Sequence, residues 1–367
     1  MHNFENLFKN KKAIITGHTG FKGSWLSIWL QSLGAKVIGM SWDIPSTPSL
    51  FEESKIFNQI EDHRIDIRNI EMVKDLFKNS QPDFVFHLAA QPLVRLSYKD
   101  PILTYSTNVM GTANILDALN EIKKNCIAVI LTSDKAYDNV EWVWGYREND
   151  TLGGSDPYSA SKGAAELVIK SYIKSYFTGN ASKVKIGIGR AGNVIGGGDW
   201  ANDRIVPDCV RAWSKGEVLQ LRNPYATRPW QHVLEPLSGY LNLAFALSVD
   251  AKVHGEAFNF GPPSENNHTV LELVTEMQKH WEAVLFEDIS SSHDGPYESG
   301  LLKLNCDKAL HQLKWKAVLD FETTVRMTSQ WYENFYNRKI NVHDFSLAQI
   351  REYIQIAKSK GMAWSRD

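Results

Sequence analysis

Ala13-Ile14-Ile15-Thr16-Gly17-His18-Thr19-Gly20-Phe21-Lys22-Gly23-Ser24-Trp25 changes its period in the middle. Ala13 to Thr16 is a short apolar run of the kind that forms a strand buried on both faces. From Ser24 to Leu33, Trp25, Leu26, Ile28, Trp29 and Leu33 recur at helical spacing, and Gly34 can end the helix. Between the two lies G-x-x-G-x-x-G. Glycine permits the tight turn and lets backbone amides approach a pyrophosphate, which then lies against the positive end of the helix dipole. Glycines also mark ordinary turns, so the loop is decided by its context.

That context is a repeated strand-helix alternation. Val37–Ser41, Phe84–Ala89, Ile127–Thr132 and Val184–Gly189 are further strand candidates separated by amphipathic stretches, as in consecutive βα units. The expected fold is α/β, a Rossmann-type doubly wound parallel sheet with a smaller, interleaved C-terminal α+β substrate lobe. After Asn193 the chain becomes rich in glycine, proline, arginine and tryptophan, broken by helices over 205–213 and 237–247. Glu256–Phe260 reads as a strand that returns to the main sheet. Residues 1–193, with about 232–262, are therefore assigned to the nucleotide domain, and 194–231 and 263–367 to the substrate lobe and C-terminal helices.

Composition narrows the partners. Among 367 residues, 40 Lys plus Arg nearly balance 42 Asp plus Glu and form no long block, which argues against a nucleic-acid surface. No segment holds eighteen uninterrupted apolar residues, and the first twelve residues lack an apolar signal core. Cys126, Cys209 and Cys306 are far apart and odd in number, which fits reduced thiols. A cytoplasmic protein without a membrane partner is expected. His63, His87, His232, His254 and His293 have no ligand spacing, so no metal is assigned.

Asp43, about twenty residues beyond Gly23, stands where a carboxylate can bind the adenosine ribose hydroxyls, which favours NAD; it also reads as an exposed turn residue. Lys22 offers an alternative partner for a 2′-phosphate. Downstream, Asp156-Pro157-Tyr158-Ser159-Ala160-Ser161-Lys162 opens a helical pattern that puts a phenol and an ammonium on one face. Tyrosine titrates near ~10, so a base working near neutrality needs about three units of lowering, roughly 4 kcal/mol in favour of the phenolate. A neighbouring ammonium can supply much of that.

With Gly17, Gly20, Gly23, Ser133, Tyr158 and Lys162 in this order, the chain resembles the extended short-chain dehydrogenase/reductase superfamily over nearly its whole length. The resemblance implies that Tyr158 takes a sugar hydroxyl proton while hydride leaves the same carbon for nicotinamide. It also implies that Lys162 holds the nicotinamide ribose and that Ser133 orients the hydroxyl. Cofactor contacts are implied for Gly17, His18, Thr19, Gly20, Phe21, Lys22 and Gly23, for Asp66 and Ile67, for Leu88, Ala89 and Ala90, and for Asn108. Asp134 supplies an acid where simple epimerases need none, and it can protonate a leaving C6 hydroxyl once C4 is a ketone. Lys135 departs from the glutamate that many hexose dehydratases carry as C5 base. It either stabilises an enolate oxygen or acts as a neutral base.

Longer strings are more specific. Glu141 to Asn149, Arg190 to Trp200 and Thr227 to Val233, together with Ser133-Asp134-Lys135, closely resemble the CDP-glucose 4,6-dehydratase family. A nucleoside diphosphate sugar as substrate follows from that resemblance. Two phosphates need cations or amides, for which Arg190, Asn193, Arg204 and Arg228 are candidates. Trp200 and Trp230 can stack on the ligand or fill the core, and Tyr297 stands where relatives often show histidine. The resemblance further implies a homodimer, or a dimer of dimers, through helices over 107–121 and 160–176. Two rivals remain: an epimerase or a dehydratase of another nucleotide hexose, and a non-catalytic NAD-sensing protein.

Overall fold

A computed structural model describes residues 4–179, 182–263, 266–281, 284–290, 301–338 and 340–366. Its first strand, β1 (Lys12–Thr16), leads through the glycine loop into α1 (Phe21–Ser32), and β2 (Lys36–Ser41) follows. Then come β3 (Glu61–Arg64), α2 (Ile70–Ser80), β4 (Phe84–His87), α3 (Gly111–Ala118), β5 (Cys126–Leu131), α4 (Pro157–Tyr176) and β6 (Val184–Ala191).

Among the described residues seven strands form one sheet, in the order β3-β2-β1-β4-β5-β6-β11, where β11 is Ala257–Phe260. All its pairs are parallel, and Thr16 is in register with both Met40 and His87. The strand order reverses between β1 and β4, and their carboxyl ends border the crevice where such sheets bind ligands.

Alternation along β1 divides the core. Ile14 faces a cluster with Val73, Phe77, Ile115, Leu116 and Ile169 from α2, α3 and α4. Ala13 and Ile15 face the other side, with Trp25 and Trp29 of α1 and Leu237 and Leu241 of α6 (Leu234–Val249). Strands covered on both faces have no solvent side for polar residues, which is why they read as apolar runs. The strand β3, with sequence Glu-Asp-His-Arg, is the exception: it lies at the sheet edge and carries no apolar signal. The reading from sequence missed it.

The remaining strands are short. β7 (Val194–Ile195) pairs with β10 (Gln231–His232), β8 (Leu219–Leu221) with β13 (Phe286–Asp288), and β9 (Thr227–Arg228) with β12 (His268–Thr269). Helix α5 (Ile205–Trp213) and α7 (Val270–Gln278) accompany them; α8 (Phe321–Glu333) packs on α7, β7 and β10, and α9 (Val342–Ser359) on α1, with Tyr353 reaching Ser238 and Glu235 of α6. The indole of Trp331 on α8 lies so close to Gly197 that an added Cβ would come within 1.9 Å of it. Beside it, the Tyr332 hydroxyl accepts from the Asp199 amide at 2.9 Å. Among the described residues, no helix is long and apolar enough to cross a membrane, and no group of ligating side chains is placed to hold a metal.

Candidate active site

Three loops at the carboxyl ends of the strands build the site. In the first, Gly17 has φ +74°, and a Cβ on it would come within 2.9 Å of the Ala89 backbone. A Cβ on Gly23 would meet the Gly17 carbonyl at 2.0 Å. The loop therefore folds back on the first turn of α1, whose cap, Gly20, offers no side-chain acceptor. Amides left open at a helix N-terminus suit a pyrophosphate, so these residues fit a dinucleotide.

The wall of that cradle is held from within. Thr16 Oγ1 accepts from the amides of Leu88 and Ala89, each at 3.1 Å, so its own proton goes to His87 Nδ1 at 2.7 Å. His87 Nε2–H then donates to Thr112 Oγ1 at 3.1 Å. Burial pushes the His87 imidazole down to about 3, which keeps this chain neutral. Ile67 is buried near Gly111, and Ala90 continues the β4 loop.

Several expected cofactor contacts are placed differently. The His18 ring turns inward, fully buried, with Nε2 bound to Asp62 at 2.9 Å, and only its backbone remains with the loop. A Cβ on Gly39 would lie 2.2 Å from that ring, so β2 needs glycine there. Thr19 Oγ1 donates to the Asp43 carbonyl at 2.7 Å, while the Asp43 side chain is exposed beyond the end of β2. Asp66 is held by Arg68 through bonds of 2.6–3.0 Å; against burial, which raises it, those contacts hold its carboxyl below the usual range.

Asn108 is a correction. Its amide accepts from Gln91 N and donates to Gln91 O and Ser161 Oγ, so it braces the β4 loop against α4 instead of reaching a nucleotide. Lys22 is another, since its charge interacts with Arg204, Asp134, Lys162 and Asp199, on the catalytic side. It does not serve the adenosine end, and burial first, then Arg204, pushes its ammonium down to about 8.

The second loop follows β5. Ser133 caps a short turn, accepting from the Lys135 amide at 3.2 Å and donating to Asp134 Oδ1 at 2.9 Å. Asp134 is only 7% exposed, and burial raises its carboxyl against the opposing pull of Lys135, Ser133 and Lys22. Its Oδ2 faces Gly192, where a Cβ would come within 2.9 Å. The third loop launches α4: Asp156 caps the Ser159 amide at 3.0 Å, with Pro157 at the first helical position. Tyr158 and Lys162 then share one face, the ammonium 5.9 Å from the ring centre. Burial pushes the Tyr158 phenol up to about 12, Ser133 pulling the other way, and pushes Lys162 down to about 8. The protein groups alone thus hold Tyr158 as a phenol.

A cleft opens beside Asp134. Asp134, Lys135, Asn193, Arg228, Pro229 and Leu302 line one part; Gly192, Gln231, Gly261, Pro262, Pro263, Lys303 and Leu304 line the adjoining part. Asn193, Arg228 and Lys135 are therefore brought together. Arg204 also reaches the site, paired with Asp199 at 2.7 Å and influenced by Tyr158. Sequence reading missed Gln231, Gly261–Pro263 and Leu302–Leu304. Gln231 lies in the Thr227–Val233 string, and Gly261–Pro263 shows only as the glycine-proline break after β11.

Two proposed substrate contacts are overturned. Arg190 is fully buried, its guanidinium consumed by Glu166 at 2.7 and 2.9 Å, by the Tyr137 hydroxyl and by the Glu148 carbonyl. Trp230 is a core residue whose indole donates to the His268 carbonyl, and Trp200 is likewise buried against Trp331, Tyr332 and Phe335. Tyr297 lies outside the described residues.

A cradle for a dinucleotide beside a serine, tyrosine, lysine and raised carboxyl matches a known family. The model of the GDP-mannose 4,6 dehydratase family covers residues 14–328. The chain belongs to that family. It is 47% identical over 335 residues to the CDP-glucose 4,6-dehydratase of Salmonella typhimurium, covering 90% of this chain and 92% of that one. The human dTDP-D-glucose 4,6-dehydratase is 24% identical, over 90% and 92% of the two chains. Among solved structures, UDP-glucuronic acid 4-epimerase from Bacillus cereus superposes with a TM-score of 0.75 at 22% identity, over 89% of this chain and 100% of that one. The dTDP-glucose 4,6-dehydratase of Bacillus anthracis, in complex with NAD, gives 0.70 at 22%, over 90% and 98%. Both structural likenesses are likenesses of the fold.

Proposed function

We propose that the chain is a nucleotide-sugar 4,6-dehydratase that converts CDP-D-glucose to CDP-4-dehydro-6-deoxy-D-glucose and water, with NAD as cofactor. The observation that carries this reading is the buried Asp134 carboxyl, adjacent to Ser133 and facing the cleft. A 4-epimerase needs no acid there, and a non-catalytic NAD sensor needs no reactive group in that cleft. The similarity to the Salmonella enzyme supports the CDP-glucose assignment.

NAD, when bound, would supply hydride acceptance at C4 and hydride return at C6. Gly17, Gly20 and Gly23 would hold its pyrophosphate, with Asp43 and Asp66 toward the adenosine end and Lys162 on the nicotinamide ribose. Tyr158, a phenol with the protein groups alone, would accept the C4 hydroxyl proton at Oη as a phenolate favoured by the Lys162 ammonium and the positive charge of the nicotinamide, while Ser133 Oγ orients that hydroxyl. With C4 a ketone, the C5 proton becomes acidic, and Lys135, which lines the cleft, would accept it as the amine and then, as the ammonium, steady the enolate oxygen. Asp134 donates the proton with which the C6 hydroxyl departs as water. The cations Lys22, Arg204 and Arg228 surround the place for two phosphates.

We place the protein in the cytoplasm as a homodimer. Support comes from three free cysteines and from Met110 and Leu167, exposed near and on the helices expected to pair. The test of function is incubation with a panel of CDP-, dTDP-, UDP- and GDP-linked hexoses, with loss of water followed by mass spectrometry. Fastest turnover of CDP-glucose is expected. Equal or faster turnover of dTDP-glucose overturns the nucleotide assignment, and exchange at C4 without loss of water overturns the dehydratase.

A further inference from the structure

Arg190 and Glu166, neither of which reaches the cleft, occupy the junction of every element that carries a reactive group. Glu166 sits on α4 one turn after Lys162, and Arg190 near the end of β6; both side chains are 0% exposed. The guanidinium grips both carboxylate oxygens, a fork geometry that lysine cannot reproduce. Glu166 Oε1 also accepts from Thr132 Oγ1 at 2.6 Å, directly before Ser133 and Asp134. From Arg190, the network continues through the Tyr137 hydroxyl to Asn259 Oδ1 at 2.8 Å. Asn259 then donates to the carbonyls of Tyr146 and Asn305, and Tyr146 binds the Lys303 carbonyl in the cleft wall.

We propose that the Glu166–Arg190 pair is a positioning device for the oxidation step, fixing the Tyr158/Lys162 helix against the Ser133/Asp134 loop and setting a carboxylate one helical turn from the Lys162 ammonium. The proposal rests on the assignment of Tyr158 and Lys162 as the oxidising pair. A buried ion pair contributes little net stability compared with an apolar pair of the same shape, so a role in orientation accounts for it better than a role in folding.

The charges around Lys162 make the device measurable. Tyr158 and Glu166 face it from its own helix, Lys22 from α1, and neutral His87 from the end of β4. Glu166 alone opposes the burial that lowers Lys162 to about 8. Removing that carboxylate releases the Lys162 proton at lower pH, and with it the ammonium that supports a Tyr158 phenolate.

The test compares the whole chain with Glu166→Gln/Arg190→Met, which removes both charges at near-constant shape, and with Arg190→Lys. Melting curves establish folding. The single-turnover oxidation rate is followed from pH 6 to 10, with NAD and the nucleotide hexose turned over fastest in the panel. Lys162 is titrated without substrate by NMR of ε-13C lysine, its resonance assigned with Lys162→Arg. In the double variant oxidation should slow by about 10-fold or more, and both the alkaline limb and the Lys162 midpoint should move down by about one pH unit, as expected for loss of a nearby opposite charge. Arg190→Lys should slow oxidation several-fold and leave the Lys162 midpoint in place. A folded double variant with the parental rate, or with an unmoved Lys162 midpoint, overturns the proposal. If the double variant does not fold, a parental rate in Arg190→Lys overturns it and a several-fold slower one supports it. Tyr158→Phe run alongside separates the two levels: parental oxidation in that variant removes the site assignment itself.

Discussion

Replacing Asp134 with asparagine isolates the step between the two hydride transfers. Asparagine has the same shape, its oxygen can keep the 2.9 Å bond from Ser133, and it meets the same Gly192 wall, so the fold should be undisturbed. What disappears is a transferable proton at Oδ2. Burial raises this carboxyl, the direction a proton donor needs, and the substitution removes its proton. Loss of a general acid typically costs about 10²–10⁴-fold, or roughly 3–5 kcal/mol in the barrier of the elimination step. Oxidation at C4 relies on Tyr158 and should survive. In a single turnover the variant should therefore accumulate reduced-nicotinamide absorbance together with a 4-keto sugar that retains its C6 oxygen, identified by mass. The parent should show little of either. If the variant dehydrates at the parental rate, or fails at the first hydride transfer, Asp134 is not the dedicated acid.

Tyr158→Phe keeps the ring and removes the base; turnover should fall by about 10² or more, and near-parental rates would exclude Tyr158. Gly23→Ala drives a methyl to within 2.0 Å of the Gly17 carbonyl. Calorimetry should show at least about 10-fold weaker NAD binding, roughly 1.4 kcal/mol, and unchanged affinity would mean that the loop does not hold the pyrophosphate. Glu235 is buried, with Val318 N, Leu319 N and the Tyr353 hydroxyl as donors and Lys360 nearby, yet burial raises its carboxyl from 4.5 to about 7. Because the folded-state value lies above the unfolded one, stability should fall as pH rises from about 4.5 through 7, by on the order of 3 kcal/mol. Glu235→Gln should remove most of that loss in urea unfolding at pH 5 and pH 8; an equal loss in both proteins would assign it to another group.

Local patterns made the first half of the fold legible. The glycine loop, the strands β1, β2, β4, β5 and β6, and the Tyr158/Lys162 spacing all sit within short windows where periodicity and capping act. The edge strand β3 escaped because Glu61 to Arg64 are polar, and β2 alone recruits them by backbone pairing. Arg190 was misread because its partner, Glu166, lies on another element, and an arginine in sequence looks the same whether it meets phosphate or a buried carboxylate. Trp230 shows the same blindness, since an indole that fills a core and one that stacks on a base carry the same letter. The cleft wall at Gly261–Pro263 and Leu302–Leu304 depends on packing between distant segments, which no window of one sequence contains.

The contact of Trp331 and Tyr332 with the Gly197–Asp199 run has a consequence for biogenesis. Asp199 and Tyr332 are 133 positions apart in the chain, so during translation the glycine run leaves the ribosome long before its aromatic cover exists. The loop of the dinucleotide cradle draws on segments that emerge early and close together, while Trp29 on the helix behind it waits for Tyr353 and Trp364. The sugar side has to wait, with apolar surface around Trp200 unprotected in the interval, and contacts of such long sequence separation form slowly. Slowed translation or an early stop between these two points should therefore yield a nascent chain prone to aggregate and in need of a chaperone until α8 and α9 arrive.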